Sequence, residues 1–505
     1  MRRLLAIPLA ILSACAPAPF GQVAPAPPDR IVIEPLRVGS LDSLRVTYDL
    51  LGSATGATTL SFPENWGPEG DLVGLRSGLT AVDCDGVRPV VLTHDGATVI
   101  LRHREGARLE VSYVIAQDYR GEPRWEDHRV PGMRPVLQPD YATVIGATVF
   151  PAVAPHADGT ERRFRMAFEG LPDGAALALS QPLYGGTTRP LRQDEISGAV
   201  LTLGAFRYAE TEAGGLTVRT AVRGTWALTD AEVAAAARAV VARAGRAFGD
   251  QPFRQYFVAL SSMPSLPGGG STVIGTGLTE SFFVLATPNA SAERLRHVIV
   301  HEVLHEWITR RMGTTDEVTD PTRMWFTEGL TEYFTQRVLL EDGLISLDEF
   351  VRGFDDLAVA YQTSPVQTAT NAEVLEGVWG SREMERLPYQ RGALLALHWD
   401  TLLRREGRAP LTSVVATLVD RAAAVRSAGG TAVLTDEAIR AAMTDALGGR
   451  FARDFAAVIE RGGVLSLSEL ALPSCLAVLP DADGLERLSV RPGTERNACI
   501  AEVAR

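Results

Sequence analysis

Two histidines and a glutamate lie within one short segment of the chain, His301-Glu302-Val303-Leu304-His305. On an α-helix, residues four positions apart lie on the same face, so the two imidazoles can bind one metal ion. Glu302 lies about 100° around that helix, close enough to act on a water molecule beside the ion without binding the ion itself. This spacing is typical of zinc sites in which a glutamate serves as general base.

A catalytic zinc ion needs a third protein ligand and an open coordination position. Glu328 lies on the next predicted helix and is the natural third ligand. The helix of the two histidines has a candidate N-cap, Ser291, and a glycine just past its predicted end, Gly313. The alternative interpretation is a core helix whose two histidines are hydrogen-bonded within the protein. His297, one turn before His301, is predicted to pack or to support a ligand, because three histidines one turn apart cannot all reach one tetrahedral ion.

Three runs of the sequence, HEVLHEW, WFTEGLTEYF and LPYQRGALLALHWD, resemble the glycyl aminopeptidase family. That family is related to the aminopeptidase N type of zinc peptidases, which have a thermolysin-like catalytic domain. The runs occur in the family's order within residues 255–405. The resemblance implies that His301, His305 and Glu328 bind one zinc ion. It also implies that Glu302 is the general base and that the hydroxyl of Tyr389 stabilises the transition state.

The resemblance also implies a glycine-rich strand that binds substrate, and it assigns that strand to Gly268, Gly269 and Gly270. The acidic residue that should accompany it is missing at that position. An aminopeptidase needs a carboxylate for the substrate ammonium group, so Glu280, Glu332 or another acid would have to supply it. The resemblance favours substrates with small N-terminal residues.

The composition indicates a folded, multidomain protein. A chain of 505 residues with 46% hydrophobic residues is too long for one core and too apolar for a disordered chain. The net charge of −12 argues against nucleic-acid binding, which normally needs a basic face. The resemblance implies that the partners are peptide or protein substrates.

The N-terminus is predicted to be a targeting signal. Arg2 and Arg3 precede an apolar run, residues 4–12, that is too short to span a membrane. The residues that follow resemble a bacterial lipobox in which Cys15 is lipidated, and residues 16–28 then form a tether. We expect an enzyme anchored to the bacterial cell envelope, facing the periplasm or the exterior. An ordinary cleaved signal peptide is the alternative.

The remaining cysteines fit such a compartment. Cys475 and Cys499 flank a short C-terminal segment and could form a disulfide in an oxidising space. Cys84 would then be unpaired. No cysteine has the spacing of a metal site.

The pattern of residues predicts an α+β multidomain fold. Residues 29–225 contain short alternating runs separated by turn residues and are predicted to form a β-sandwich. Residues 226–345 are predicted to be a thermolysin-like zinc peptidase domain, and residues 346–505 a helical lobe with a cysteine-containing tail. A zinc peptidase, most consistently an aminopeptidase, is the leading function. The alternatives are an endopeptidase or oligopeptidase with the same chemistry and a non-catalytic surface lipoprotein that serves as a binding module.

Overall fold

The structure, a computed structural model, describes residues 28–67, 69–83, 88–126, 130–213, 215–249, 253–314 and 320–504. These residues divide into two compact units, one formed by residues up to 208 with 221–223 and one by residues 209–220 with 224–505. The predicted signal peptide, the predicted lipidation site Cys15, residues 16–27 of the predicted tether and Cys84 lie outside the described residues. The domain limits drawn from the sequence at residues 225 and 345 remain predictions.

The first unit consists mainly of β-strands. They are β1 Asp29–Arg37, β2 Ser40–Leu51, β3 Ala57–Ser61, β4 Arg76–Asp83, β5 Arg88–Pro89, β6 Val91–Asp95, β7 Thr98–Arg102, β8 Arg108–Ala116, β9 Val136–Leu137, β10 Tyr141–Ile145, β11 Ala152–Val153, β12 Phe164–Phe168, β13 Ala176–Leu179, β14 Leu183–Tyr184, β15 Thr187–Thr188 and β16 Val200–Gly204. Short helices α1 Gly146–Val149 and α2 Gln193–Ser197 and a 3-10 helix at Leu72–Leu75 interrupt them.

These strands form three sheets around a shared core. The strand orders are β14-β15-β12-β1-β2-β8-β4-β5, β13-β16-β10-β9 and β11-β3-β7-β6. In β8, buried and partly buried residues alternate along the whole strand, which is the pattern of a sheet with one face on a core. Buried side chains from all three sheets, among them Val46, Leu101 and Leu201, belong to one hydrophobic cluster.

The second unit begins with a mixed sheet. Its strands are β17 Arg207–Ala213, β18 Leu216–Arg223, β19 Gln255–Ser262, β20 Val273–Leu278 and β21 Ser281–Ala286, in the order β17-β18-β19-β21-β20. Strands β19 and β21 are parallel, and their residues are almost all buried. Strand β20 pairs with β21 in the antiparallel sense and lies at the edge of the sheet.

The rest of the second unit is mostly helical. Its helices are α3 Asp230–Ala247, α4 Ala292–Leu304, α5 Met324–Glu341, α6 Leu347–Gln362, α7 Asn371–Gly377, α8 Arg382–Arg405, α9 Thr412–Ser427, α10 Asp436–Leu447, α11 Gly449–Asp454 and α12 Arg496–Ala504. A π-helix spans Phe455–Glu460, and 3-10 helices lie at Pro267–Gly269, Arg310–Met312, Asp320–Arg323 and Leu467–Glu469. A hairpin of β22 Leu476–Pro480 and β23 Glu486–Val490 precedes α12.

Side-chain caps explain where many of these helices begin. Hydroxyl groups accept hydrogen bonds from backbone amides in the first turn of α3, α4, α6, α7, α8 and α10, from Thr229, Ser291, Ser346, Thr370, Ser381 and Thr435 respectively. The N-cap predicted for the histidine helix, Ser291, is confirmed. Among the described residues, none of the helices has both the length and the apolar character of a membrane span.

The predicted fold class is confirmed, with a sheet-rich N-terminal region and a helical C-terminal region. Cys475 and Cys499 form a disulfide, with their Cα atoms 5.6 Å apart. This bond fastens α12 to the start of the β22–β23 hairpin, and α12 packs against α5. The C-terminal tail therefore supports the helix that carries Glu328.

Candidate metal centre

Helices α4 and α5 bring three metal-binding side chains together. The Nε2 atoms of His301 and His305 are 3.2 Å apart, and each lies 3.3 Å from Oε2 of Glu328. A tetrahedral zinc ion with bonds of about 2.0–2.2 Å has ligand atoms roughly 3.4 Å from one another. Two imidazole nitrogens and one carboxylate oxygen at these separations therefore fit one zinc ion.

Further groups fix the orientation of both histidines. On the far side of His301, Nδ1 lies 3.4 Å from Oε2 of Glu332, which also lies 3.0 Å from Nε2 of His297. The Nδ1 atom of His305 lies 3.3 Å from the carbonyl oxygen of Ile308. A carboxylate or carbonyl that accepts the second N–H of a histidine leaves the other nitrogen free to bind a metal. His297 thus contacts Glu332 and does not join the group formed by His301, His305 and Glu328.

The charges of this cluster favour ionised carboxylates beside the histidines. Burial raises the pKa of Glu328, but His305 and His301 outweigh it and hold that pKa well below its usual value. Burial lowers the pKa of His301, whereas hydrogen bonds with Glu328 and Glu332 raise it to about 10. For Glu302, burial outweighs the two histidines, and its pKa is raised. Glu302 is consequently the more basic carboxylate, as a proton acceptor should be.

Strand β20 lies directly against Glu302. A Cβ atom added at Gly275 would clash with the carboxyl group of Glu302, and one added at Gly277 would lie 3.3 Å from its Oε2. Because only glycine leaves this space, β20 approaches the glutamate as closely as a backbone can. Gly275 and Gly277 were not among the predicted site residues; the signal that could have identified them is their Gly-x-Gly spacing within a strand.

The substrate-binding glycines predicted from the sequence lie elsewhere. Gly268 and Gly269 belong to a short 3-10 helix, and Gly268–Gly270 are exposed. The side-chain amide of Asn289 donates to the carbonyls of Gly269 and Gly270, at 2.9 and 3.1 Å. The structure therefore places these glycines in a turn before the edge strand, and it places other glycines beside Glu302.

Tyr389 joins the cluster from helix α8. Its ring stacks on that of His301, with the ring centroids 5.9 Å apart and the planes inclined by 16°. Burial raises the pKa of Tyr389 well above its usual value, and the nearby carboxylates of Glu328, Glu385 and Glu302 raise it further. The hydroxyl group therefore keeps its proton at neutral pH and can donate a hydrogen bond.

Two glycines allow α8 to deliver Tyr389 to the cluster. A Cβ atom at Gly329 would lie 2.5 Å from Cα of Gly392, and one at Gly392 would lie 2.8 Å from Cα of Gly329. Helices α5 and α8 thus cross in backbone contact, next to Glu328 on one helix and three residues after Tyr389 on the other. Arg391, two residues after Tyr389, is fully buried and donates to the carbonyl of Ala369 at 2.7 Å, which indicates a structural role.

A mixed sheet followed by helices, with a His-Glu-x-x-His helix, a glutamate on the next helix and a tyrosine beside them, defines a zinc metallopeptidase. Residues 294–376 match the family model of the M61 glycyl aminopeptidases. This match and the residues of the site together support a zinc peptidase. No curated protein matches the sequence.

Solved structures show the same fold. An aminopeptidase N family protein from Idiomarina loihiensis is 17% identical and has a TM-score of 0.71, with 91% of this chain and 81% of that chain covered. An M1 zinc metallopeptidase from Deinococcus radiodurans is 18% identical and has a TM-score of 0.50, with 88% and 94% covered. A glutamate-to-alanine mutant of an M1 zinc metallopeptidase from that organism, bound to a Tyr-Ser-Ala substrate, is 17% identical and has a TM-score of 0.50, with 87% and 95% covered.

Proposed function

We propose that the protein is a zinc aminopeptidase that removes small N-terminal residues from peptides. One observation carries the proposal: three ligand atoms converge to 3.2–3.3 Å, and a buried glutamate and a protonated tyrosine flank them. A binding module would have no use for that combination. The match of residues 294–376 to a family of glycyl aminopeptidases supports the preference for small residues.

His301, His305 and Glu328 would hold one zinc ion per chain. When bound there, zinc would supply a Lewis acid that polarises the scissile carbonyl and makes water easier to deprotonate. Glu332 and the carbonyl of Ile308 would keep the two imidazole rings in the orientation that binding needs.

Glu302 is the general base of this proposal. It accepts a proton from the water that attacks the scissile carbonyl and then delivers that proton to the leaving amine. Its raised pKa makes it a better acceptor than an exposed glutamate. The adjoining Gly275 and Gly277 would let the substrate backbone lie along β20, within reach of this carboxylate.

Tyr389 is the oxyanion donor. The tetrahedral species that follows attack carries a negative oxygen, and a neutral hydroxyl group can stabilise it with a hydrogen bond. The stacking of the tyrosine ring on His301 keeps that hydroxyl group beside the cluster.

An aminopeptidase must also recognise the substrate ammonium group. Glu332 is engaged by His297 and His301, so it is not available for this task. Glu280 follows the end of β20 by two residues and is only partly buried. We propose that Glu280 provides the carboxylate for the ammonium group.

Matched peptides with free and acetylated N-termini test this function. The proposal predicts release of the first residue from the free peptide and no cleavage of the acetylated one. Equal cleavage of both at internal bonds would instead identify an endopeptidase. A protein that binds zinc but cleaves neither peptide would support the non-catalytic alternative.

We also propose that the enzyme is anchored to the bacterial envelope through lipidated Cys15. The support is the resemblance of the first residues to a lipobox, together with the Cys475–Cys499 disulfide, which suits an oxidising compartment. Cell fractionation of the wild type and Cys15→Ala tests it. The wild type should be found with membranes and the variant in the soluble fraction, whereas identical distributions would refute the anchor.

A further inference from the structure

After helix α4 the chain makes a turn, at Thr309, that the His-Glu-x-x-His motif does not require. The helix ends at Leu304, just before the second histidine, although apolar periodicity continues to Trp307 and Ile308. Thr309 has a φ of 128°, outside the regions that threonine normally adopts. This turn sends Arg310 back towards strand β20. Such a conformation persists only where surrounding contacts hold it.

Two side chains of this segment form hydrogen bonds with the backbone of the turn that joins β20 to β21. The carboxylate of Glu306, which is buried, accepts a 2.7 Å hydrogen bond from the backbone N–H of Glu280. The guanidinium group of Arg310 donates to the carbonyl oxygen of Gly277. The Nε atom of Arg310 also lies 3.9 Å from Oε1 of Glu306. One ion pair therefore holds both ends of a short backbone segment, residues 277–280.

That segment needs outside support. Glu280 has a φ of 50°, a left-handed conformation that costs a side chain other than glycine roughly 1–2 kcal/mol. Strand β20 lies at the sheet edge, so it has strand hydrogen bonds only to β21. A buried carboxylate is itself costly unless its hydrogen bonds are satisfied. The amide of Glu280 donates a hydrogen bond to Glu306, and the guanidinium group of Arg310, 3.9 Å away, offsets part of its charge.

We propose that Glu306 and Arg310 are positioning residues that fix residues 277–280 against the general base. This inference rests on the proposed aminopeptidase function, which assigns substrate to β20 and the ammonium group to Glu280. The pair would hold the substrate-binding edge and the Glu280 carboxylate at set distances from Glu302, before substrate arrives. Neither residue touches the reacting atoms, so each acts through the strand.

The test compares Glu306→Ala, Glu306→Gln and Arg310→Gln in the full chain, with Arg440→Gln as the control. Arg440 also forms an ion pair, at 2.8 Å with Glu460, but both residues are exposed. Glu306→Ala should lower kcat/KM by about 10–100-fold, mostly through a higher KM, with zinc content unchanged. Glu306→Gln keeps an oxygen acceptor for the amide of Glu280 and should recover most of that loss. The kcat/KM of Arg310→Gln should lie between those of Glu306→Ala and Glu306→Gln.

Discrimination against acetylated peptides gives a second readout. If the pair positions Glu280, the ratio of cleavage of free to acetylated peptides should fall in Glu306→Ala and stay unchanged in Arg440→Gln. A residue with a merely structural role would lower the fraction of active enzyme but leave KM and that ratio unaltered. Unchanged KM and ratio in both Glu306→Ala and Arg310→Gln would overturn the proposal.

Hydrogen–deuterium exchange separates this inference from the proposed function. Backbone amides of residues 275–284 should exchange faster in Glu306→Ala and Arg310→Gln than in the wild type, whether or not the protein cleaves peptides. If the wild type is inactive but the two variants exchange faster than it does, the aminopeptidase function is refuted, whereas the positioning role of Glu306 and Arg310 stands. If both variants exchange at the wild-type rate, the positioning role of Glu306 and Arg310 is refuted. Should Glu306→Ala fail to fold, Glu306→Gln and Arg310→Gln decide the outcome alone.

Discussion

Helix α5 passes through two buried polar clusters of opposite character. Near its middle, Tyr333 and Arg337 meet Asp400 of α8, at 2.5 and 3.4 Å, and Arg404 lies 2.6 Å from the same carboxylate. Arg337 also pairs with Glu341 at 2.6 Å. Arg243 lies 3.1 Å from Glu341 and also pairs with Asp342, so three guanidinium groups face three carboxylates. This cluster is balanced in charge and hydrogen-bonded within itself, so we regard it as structural.

One to two turns earlier, the same helix contributes Glu328 and Glu332 to the metal-binding cluster. There, the three carboxylates of Glu302, Glu328 and Glu332 lie beside histidines whose charge depends on protonation. Negative charge is in excess in this cluster unless a proton on His301 or a bound cation offsets it. Burial and perturbed pKa values are common to both clusters. Convergent donors with an excess of negative charge distinguish the metal centre.

Glu302→Gln should show the largest effect on turnover at the metal cluster. The amide cannot accept the proton, so kcat should fall by roughly 10²–10⁴-fold while zinc content stays at the wild-type level. Steady-state kinetics and metal analysis on the same preparation measure both. Turnover near that of the wild type would remove Glu302 from the mechanism.

Asp400→Asn breaks the balanced cluster instead. It removes the carboxylate that Tyr333, Arg337 and Arg404 share and should cost about 3–5 kcal/mol of unfolding free energy. The folded fraction should still bind zinc and turn over substrate at close to the normal rate. Urea denaturation gives the stability change. A large loss of kcat with unchanged stability would mean that the two clusters are not functionally distinct.

Tyr389→Phe removes one hydrogen-bond donor from the metal cluster and leaves the ring stacked on His301. We expect kcat to fall by roughly 10²–10³-fold, about 3–4 kcal/mol, with little change in the unfolding transition. Tyr333→Phe is the matched control, because its hydroxyl belongs to the balanced cluster. Equal losses of kcat in the two variants would contradict the assignment of Tyr389.

The pH dependence of zinc binding should show the smallest effect. In zinc-free protein the pKa of His301 is raised to about 10, above its unfolded value of about 6.5. The stability that this protonated histidine contributes is complete below pH 6.5 and is lost as pH rises towards 10. Zinc must displace the proton, so its apparent affinity should rise up to about tenfold per pH unit between pH 7 and 8.5. Competition titrations with a chelator at several pH values measure the apparent zinc affinity. An affinity that does not change with pH would exclude a protonated His301.

The metal cluster was predictable because helix periodicity fixes it. His301 and His305 share a helical face by spacing alone, and Glu328 lies on the next helix, Met324–Glu341, as predicted. The histidine helix was predicted to end just before Gly313, but it ends at Leu304. No glycine or proline marks this earlier end. The tertiary contacts of Glu306 and Arg310 accompany it, and sequence periodicity does not reveal such contacts.

Two other features depended on long-range packing. Proline usually marks the first turn of a helix, but α8 starts at Arg382, after the cap Ser381, and continues through Pro388. The glycines beside Glu302 are Gly275 and Gly277 and not Gly268–Gly270, because the sheet edge, rather than the more glycine-rich turn, meets α4. Local composition identifies a flexible segment but does not show which segment faces the site.

Metal content tests the central claim most directly. Purified wild-type protein should contain one zinc ion per chain and lose peptidase activity on chelation, with recovery when zinc is added back. Glu328→Ala should lose most of its zinc, whereas Glu341→Ala, a change on the same helix in the balanced cluster, should keep it. Full activity without zinc, or full zinc occupancy in Glu328→Ala, would contradict a metal centre formed by His301, His305 and Glu328.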